Sequence, residues 1–302
     1  MNDCRAHCVN SSTLTEPRRL RVASRGSPLA LWQANHVAGA LRATGSELTV
    51  EVLVISTEGD RRHDVPLAEM GGKGVFVKEV QAAVLEGRAD LAVHSAKDLP
   101  AITPNGLVLA CVPERADASD ALVGRALVDV PEGGTIATGS SRRAMQLVAL
   151  RPDVKVVGLR GNMDTRLAKA KDHDAVVVAT AALVRLGHTD QIAQVFDVDE
   201  MVPQVGQGAL AIECRSGDVE LLAMLASIEH GASRRCVDAE RAFLCELGGD
   251  CDLPAGAHGV VTPAGLRLRA VLAGARGAIR RFDELGDDGG ALGKAAARRL
   301  RG

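Results

Sequence analysis

Short apolar runs alternate with longer segments of helical periodicity along most of the chain. In the first block, LRVAS (20–24) is a predicted strand, and a helix is predicted from Ser27 to about Gly45. Ser27 is a typical N-cap residue, and proline, here Pro28, is favoured at the first helical position. Repeated strand and helix segments of this kind predict an α/β domain with a largely parallel sheet.

The same alternation continues to about residue 113 and then restarts, which predicts a second α/β domain. In the first domain, LTVEVLVIS (48–56) and DLAVHS (90–95) are predicted strands, and VFVKEVQAAVLEG (75–87) is a predicted helix. In the second, the predicted strands are TIATG (135–139), VKVVGLR (154–160) and DAVVVATAAL (174–183), and the predicted helices are SSRRAMQLVALR (140–151) and MDTRLAKAKD (163–172). ALAIECR (209–215) is a further strand, predicted to return to the first sheet.

The pattern divides the chain into a leader and three domains. We predict a disordered leader at 1–18, a first α/β domain at 19–113 and 203–229, a second at 114–202, and a smaller α+β domain at 230–302. The predicted fold class is therefore α/β, with two doubly wound domains that resemble the lobes of periplasmic binding proteins around a cleft, plus the α+β C-terminal domain.

Composition excludes several classes of protein. The 302 residues carry a formal net charge of −2, which argues against a nucleic-acid partner. No apolar run approaches the ~20 residues of a membrane helix, and the polar N-terminus has no apolar core of a secretory signal. We therefore expect a cytoplasmic protein, with nothing that demands more than a monomer. The seven cysteines include no CxxC pair, and Cys4, His7 and Cys8 are too irregular for a metal site, so no metal is predicted.

Polar and basic residues follow the predicted strands, where ligands bind in open α/β sheets. A single surface arginine is often only solvated, but the repetition in both domains indicates a ligand with several anionic groups, because arginine binds carboxylate or phosphate bidentately. The segment GGKG (71–74) lacks the spacing of a nucleotide-binding loop. The candidates are Arg25, Ser27, Lys97, Asp98, Ser140, Arg142, Arg143, Arg160, Arg166 and Arg185.

Longer motifs carry a specific resemblance. They are RVASRGSPLALWQA (21–34), GGKGVFVKE (71–79), AVHSAKDLP (92–100), LRGNMDTRL (159–167), VGQGALAIECR (205–215) and GGDCDLPAG (248–256). In this order they resemble the porphobilinogen deaminase (hydroxymethylbilane synthase) family from about residue 19 to at least residue 275. The resemblance implies a transferase of porphyrin biosynthesis that joins four porphobilinogen molecules head to tail with loss of ammonia. It also implies a dipyrromethane cofactor bound through a thioether, and a product handed to the next tetrapyrrole enzyme.

The resemblance assigns a role to each candidate. Cys251 matches the cofactor-bearing cysteine, and Asp98 matches the catalytic aspartate. The positions that hold the cofactor carboxylates are matched by Lys97, Ser140, Arg142, Arg143, Arg160 and Arg166, and those that receive the substrate by Arg25, Ser27 and Arg185. Asp250 and Asp252 beside the cysteine disfavour its thiolate. A cysteine that reacts only once with a strong electrophile, to form the thioether, does not need to be thiolate most of the time.

Three features depart from the family pattern. Glu69 stands where a basic residue is expected before GGKG, Gly139 replaces a serine, and the setting of the cysteine is more acidic than usual. Two other functions are open at this point. One is a non-enzymatic, two-lobed module that binds anionic solutes. The other is an acyl-transfer enzyme with Cys251 as nucleophile and His258 as base, although the flanking aspartates oppose an activated thiolate.

Overall fold

The computed structural model describes residues 18–44, 48–57, 77–249, 253–274 and 278–302. The strands are β1 Arg18–Ser24, β2 Leu48–Val54, β3 Leu91–Ser95, β4 Leu107–Cys111, β5 Asp120–Gly124, β6 Thr135–Ala137, β7 Lys155–Val157, β8 Ala175–Ala179, β9 Ile192–Val195, β10 Leu210–Arg215, β11 Ala255–Thr262, β12 Gly265–Ala273 and β13 Ile279–Gly286. The α-helices are α1 Pro28–Ala43, α2 Lys78–Leu85, α3 Ser141–Leu150, α4 Met163–Ala168, α5 Thr180–Leu186, α6 Val219–Ala226, α7 Gly231–Glu246 and α8 Gly289–Arg301. Apart from Arg18, the predicted leader lies outside the described residues.

Two sheets of the same design form the larger part of the fold. In the first, ordered β2-β1-β3-β10-β4, β1 is parallel to β2 and β3, whereas β10 is antiparallel to β3 and β4. In the second, ordered β7-β6-β8-β5-β9, β6 is parallel to β7 and β8, whereas β5 is antiparallel to β8 and β9. We call these sheets with their helices the first and second units. They confirm the predicted α/β class.

Apolar patterning explains how helices cover these sheets. Helix α1 buries Ala34, Val37, Ala38 and Leu41, which lie on one face at helical spacing. Every residue of AVVVA in β8 is buried, as expected of a strand with neighbours on both sides and both faces covered. Each unit therefore has its own apolar core, and its polar strand ends are left for other roles.

Two segments connect the units, residues 112–119 from β4 to β5 and 196–209 from β9 to β10. Gly208 has φ +83°, and a Cβ built there would lie 2.5 Å from the carbonyl oxygen of Ala116. Both the backbone angle and this close approach require glycine. The two crossing segments thus touch directly between the sheets. The division into domains at residues 114, 203 and 230 stays a prediction.

The third sheet, β11-β12-β13, is antiparallel and is covered by α7 and α8. Glu240 of α7, fully buried, ties this part to the crossing segments. Its carboxylate accepts hydrogen bonds from Arg115 Nη1 at 2.6 Å and from the backbone N–H of Gly206 at 2.7 Å and of Gly259 at 2.8 Å. The small C-terminal part therefore meets both units where they join, as a separate sheet with its own core.

The structure corrects one predicted element. The strand predicted over DAVVVATAAL ends at Ala179, and Thr180–Leu186 is helix α5. Alanine and leucine favour a helix here, and Gly187 in the left-handed conformation ends it. Strands β4, β5, β9 and β13 and helix α6 were not predicted.

Candidate functional site

The candidate residues lie at the carboxyl ends of the parallel strands. Arg25 and Ser27 follow β1, and Lys97 and Asp98 follow β3 in a 3-10 turn at Ala96–Asp98. In the second unit, the residues that follow β6, β7 and β8 are Ser140, Arg142, Arg143, Arg160, Arg166 and Arg185. Because the parallel strands of a unit end at one edge, each set shares an edge of its sheet.

The first unit forms a small pocket around its only candidate acid. Asp98, Arg25 and Ser27 line this pocket together with Gln33 and His94. Ser27 also caps α1, since its side chain accepts a hydrogen bond from the N–H of Ala30 at 3.3 Å. The pocket therefore has one carboxylate beside a guanidinium and a helix N-terminus, an arrangement suited to an anionic ligand that also exchanges a proton.

Lys97 lies between the charges of the two units. Burial, together with the guanidinium of Arg143, lowers the pKa of Lys97 to about 8, although the carboxylates of Asp98 and Asp120 act in the opposite direction. A cation held at such a position is stabilised by the arrival of an anion. Lys97 therefore suits the recognition of a carboxylate.

Two arginines of the second unit share one buried acid. Asp120, fully buried, lies 2.6 Å from Nη1 of Arg142 and 2.7 Å from Nη2 of Arg143. These guanidinium groups hold the pKa of Asp120 well below its ordinary value in spite of its burial. Gln207 of the crossing segment donates to the same carboxylate at 2.9 Å. Ser140 caps the helix that carries both arginines, and its hydroxyl accepts from the N–H of Arg143 at 3.4 Å.

Arg142 retains binding capacity after this pairing. Its Nη1 donates to Asp120 and to the carbonyl of Val202 at 2.8 Å, but its Nε and Nη2 are buried without a hydrogen-bond partner among the described residues. An unsatisfied buried donor is costly, particularly when it is charged. These two donors fit a carboxylate-bearing group such as dipyrromethane, which presents several acceptors.

The other basic candidates surround this cluster. Arg166 is partly buried, its Nε donates to the carbonyl of Gly161 at 2.9 Å, and burial together with Arg143 lowers its pKa. Arg160 is exposed after β7. Arg185 is partly buried in α5, and its Nη2 donates to the carbonyl of Gly208 at 2.7 Å. The second unit therefore presents cations, and its one acid in this group is buried beneath them.

The cysteine predicted to carry a cofactor, Cys251, lies outside the described residues, as do Asp250, Asp252 and Glu69. Its surroundings in the chain are described: α7 ends at Glu246 and β11 begins at Ala255. A Cβ built on Gly256 would lie 2.9 Å from Cδ of Arg142. Gly256, which follows Cys251 by five residues in the chain, therefore packs against one of the buried arginines.

The residues that sequence reasoning missed are the buried partners. Besides Asp120 and Gln207, they include His94 and Glu213, whose Nε2 and Oε2 lie 3.3 Å apart, both atoms belonging to buried side chains. His94 is in a recognised motif and still was not selected. The available signal for Glu213 was an acid inside the apolar strand ALAIECR.

Comparison with known proteins decides the family. The family model "Porphobilinogen deaminase, dipyromethane cofactor binding domain" matches residues 20–223, and "Porphobilinogen deaminase, C-terminal domain" matches residues 234–302. The chain belongs to the porphobilinogen deaminase family. This confirms the resemblance found in the motifs, and it removes the solute-binding module and the acyl-transfer enzyme as competing functions.

Curated members of the porphobilinogen deaminase family are similar over nearly their full length. The chain is 48% identical over 273 residues to the porphobilinogen deaminase of Nitratidesulfovibrio vulgaris, which covers 87% of this chain and 86% of the relative. It is 44% identical to that of Geobacter metallireducens, over 86% of this chain and 83% of the relative. Proteins of this name are transferases, also called hydroxymethylbilane synthases.

Solved structures add little to the porphobilinogen deaminase assignment. A periplasmic substrate-binding protein of an ABC transporter from Coxiella burnetii is 15% identical, with a TM-score of 0.41 over 71% of this chain and 93% of that chain. A score this low supports no argument about the fold or the ligand. In the part of the chain that is described, no helix has the length and hydropathy needed to cross a membrane.

Proposed function

We propose that this chain joins four porphobilinogen molecules head to tail with loss of four ammonia molecules, and that one water molecule then releases the linear product as hydroxymethylbilane. The reaction belongs to tetrapyrrole and heme biosynthesis, and the family model includes the domain that binds the dipyrromethane cofactor. Each pyrrole unit carries an acetate and a propionate. A ligand with this many carboxylates accounts for the repeated cations at the strand ends.

One observation carries the mechanistic part of the proposal: Asp98 shares its pocket with Arg25 and Ser27 and also acts electrostatically on Lys97 and Arg166. Asp98 therefore stands between the residues that we assign to the substrate and those that we assign to the cofactor. A group that acts on the bond between the two must occupy such a position.

Asp98 is the general acid and base of this proposal. It protonates the amine of porphobilinogen as the C–N bond breaks, and its carboxylate then stabilises the positive charge that remains on the substrate's pyrrole. When bound, the dipyrromethane supplies the pyrrole carbon that forms the new C–C bond. Asp98 then takes up the proton displaced from that carbon, so that each coupling releases one ammonia and restores to Asp98 the proton that it donated.

The proposed binding residues are divided between two ligands, the substrate and the cofactor. Arg25, Ser27 and Arg185 receive the carboxylates of incoming porphobilinogen. The unpaired donors of Arg142 support a role in holding the resident cofactor. The full set for that role is Lys97, Ser140, Arg142, Arg143, Arg160 and Arg166.

Cys251 is the anchor in this proposal. The contact of Gly256 with Arg142 supports this assignment, because it brings one end of the cysteine loop to the buried arginines. We further propose that the enzyme acts as a cytoplasmic monomer, binds no nucleic acid, and releases its product to the next tetrapyrrole enzyme.

Intact-mass spectrometry tests the anchor. Protein from cells that make porphobilinogen should exceed its sequence mass by one dipyrromethane, and the modified peptide should contain Cys251. Cys251→Ser should lose both the adduct and the activity. Cys245→Ser is the matched control, since Cys245 is an exposed free cysteine six residues earlier, and this variant should keep both. An unmodified wild-type chain with full activity would contradict the proposal.

A further inference from the structure

Helices α1 and α5 meet across the gap between the two units, and an aromatic side chain makes the contact. Cζ of Arg185 lies 5.5 Å from the centroid of the Trp32 ring. The ring also stacks on His36 of α1, with centroids 4.9 Å apart and planes 9° from parallel. Trp32 belongs to the first unit and Arg185 to the second, so a cation–π contact links them.

The two contacts of Arg185 leave part of its guanidinium open. Nη2 donates to the carbonyl of Gly208, and the ring covers one region of the group. No carboxylate among the described residues pairs with it. Burial lowers its pKa to about 10, which keeps the group cationic at neutral pH. A side chain fixed in this way still has N–H donors for an external anion.

We propose that Trp32 is a positioning residue for porphobilinogen binding: it holds Arg185 across the gap so that the remaining donors face the incoming carboxylate. This inference rests on the proposed role of Arg185. A carboxylate in place of the ring would occupy the donors that the substrate needs, whereas an aromatic face attracts the cation and leaves its N–H groups available.

The chain provides a direct spectroscopic readout. Trp32 is its single tryptophan and there is no tyrosine, so tryptophan emission comes from this contact alone. Asp98→Asn, which should bind substrate without turning it over, allows the measurement at equilibrium. Porphobilinogen should change the emission in that background, and adding Arg185→Leu should abolish the change.

Kinetics of variants test the positioning role. Trp32→Leu should raise KM for porphobilinogen roughly 3- to 30-fold, the range of a cation–π contact, with kcat and the cofactor mass retained. Trp32→Phe should restore most of the affinity. Asn35→Ala, at an exposed position of the same helix, is the matched control and should leave KM unchanged.

A double-mutant cycle gives the decisive result. Trp32→Leu combined with Arg185→Leu should raise KM no more than Arg185→Leu alone, because the ring acts through the arginine. Additive effects, or a KM for Trp32→Leu equal to that of Asn35→Ala, would overturn the proposal. An unchanged KM in Arg185→Leu would also overturn the proposal, together with the substrate role of Arg185. Absence of the Cys251 adduct from wild-type protein would be a different result, because it would contradict the proposed function itself.

Discussion

The first and second units have equivalent strand orders but distribute their charges differently. β1 and β6 occupy equivalent positions, and each is followed by a serine that caps the next helix, Ser27 in one unit and Ser140 in the other. After β3 the first unit places Asp98 at the pocket, whereas the helix after the equivalent β8 carries Arg185.

In the proposed function, this difference in charge separates the residues that carry out chemistry from those that bind the ligand. An acid that can reach the ligand is found in the first unit, and the second unit buries its acid, Asp120, beneath two guanidinium groups. In the proposed function, the same topology supplies two ligand-facing edges, and the different charged residues at each edge give it a separate task. We expect variants of the two edges to fail in different ways.

The largest expected effect is on turnover, at the edge of the first unit. Asp98→Asn keeps the shape of the side chain but removes the proton transfer, so kcat should fall about 10²- to 10⁴-fold. The cofactor mass should be unchanged, because the cations of the second unit remain. Steady-state rates together with intact mass provide the test, and turnover near the wild-type rate would end the acid–base assignment.

Asp120→Asn should act on stability. It leaves Arg142 and Arg143 as buried cations without a counter-charge, which should lower the free energy of unfolding by about 3–5 kcal/mol. Asp153→Asn is the matched control, because Asp153 pairs with Arg151 at 2.7 Å on the surface. Such exposed pairs contribute little to stability because solvent screens their charges. If denaturant titrations show the same loss of stability for both variants, burial of the Asp120 cluster does not make its ion pairs more important than the surface pair.

Replacing Lys97 should have a smaller effect on the free energy of unfolding, and this effect should depend on pH. Its pKa in the fold is about 8, below the ordinary 10.5, so between these values the unfolded chain binds more protons and stability rises with pH. In Cys251→Ser protein, Lys97→Met should therefore be stabilising at pH 7. That advantage should shrink by about 2–3 kcal/mol as the pH rises from ~8 to ~10.5. A constant difference between the two proteins across this range would contradict the burial of a charged Lys97.

The parts of the molecule that the sequence predicted are those with local signals. The cap at Ser27 and the alternation of strands and helices that predicted both α/β units depend on residues a few positions apart. Strand β5 pairs with β8 and β9, which lie more than 50 residues later in the chain, so local periodicity gives little signal for either β5 or β9. Asp120 was missed for the same reason, since its partner Arg142 lies 22 residues away. The prediction for the α5 segment was wrong because an alanine-rich continuation of a buried strand has the same apolar pattern whether it forms a strand or a helix.

The structure explains why glycine occupies position 139, where the family pattern has a serine. A Cβ built there would lie 2.5 Å from the carbonyl oxygen of Leu159, at the end of the loop that carries Arg160. A serine at this position would require that loop to move. The glycine therefore belongs to the local packing of β6 against the β7 loop.

The most direct test of the separate roles of the two sheet edges is the intact mass of Arg166→Leu and Asp98→Asn, measured side by side. Arg166 is the best cofactor-side choice, because changing Arg142 or Arg143 would also disturb the buried Asp120. We predict that Arg166→Leu yields mainly protein without the dipyrromethane, that Asp98→Asn carries it but does not elongate on addition of porphobilinogen, and that the exposed control Lys171→Leu does both. If Arg166→Leu is fully loaded, or if Asp98→Asn is the variant that lacks the cofactor, the two edges do not have the separate roles assigned to them.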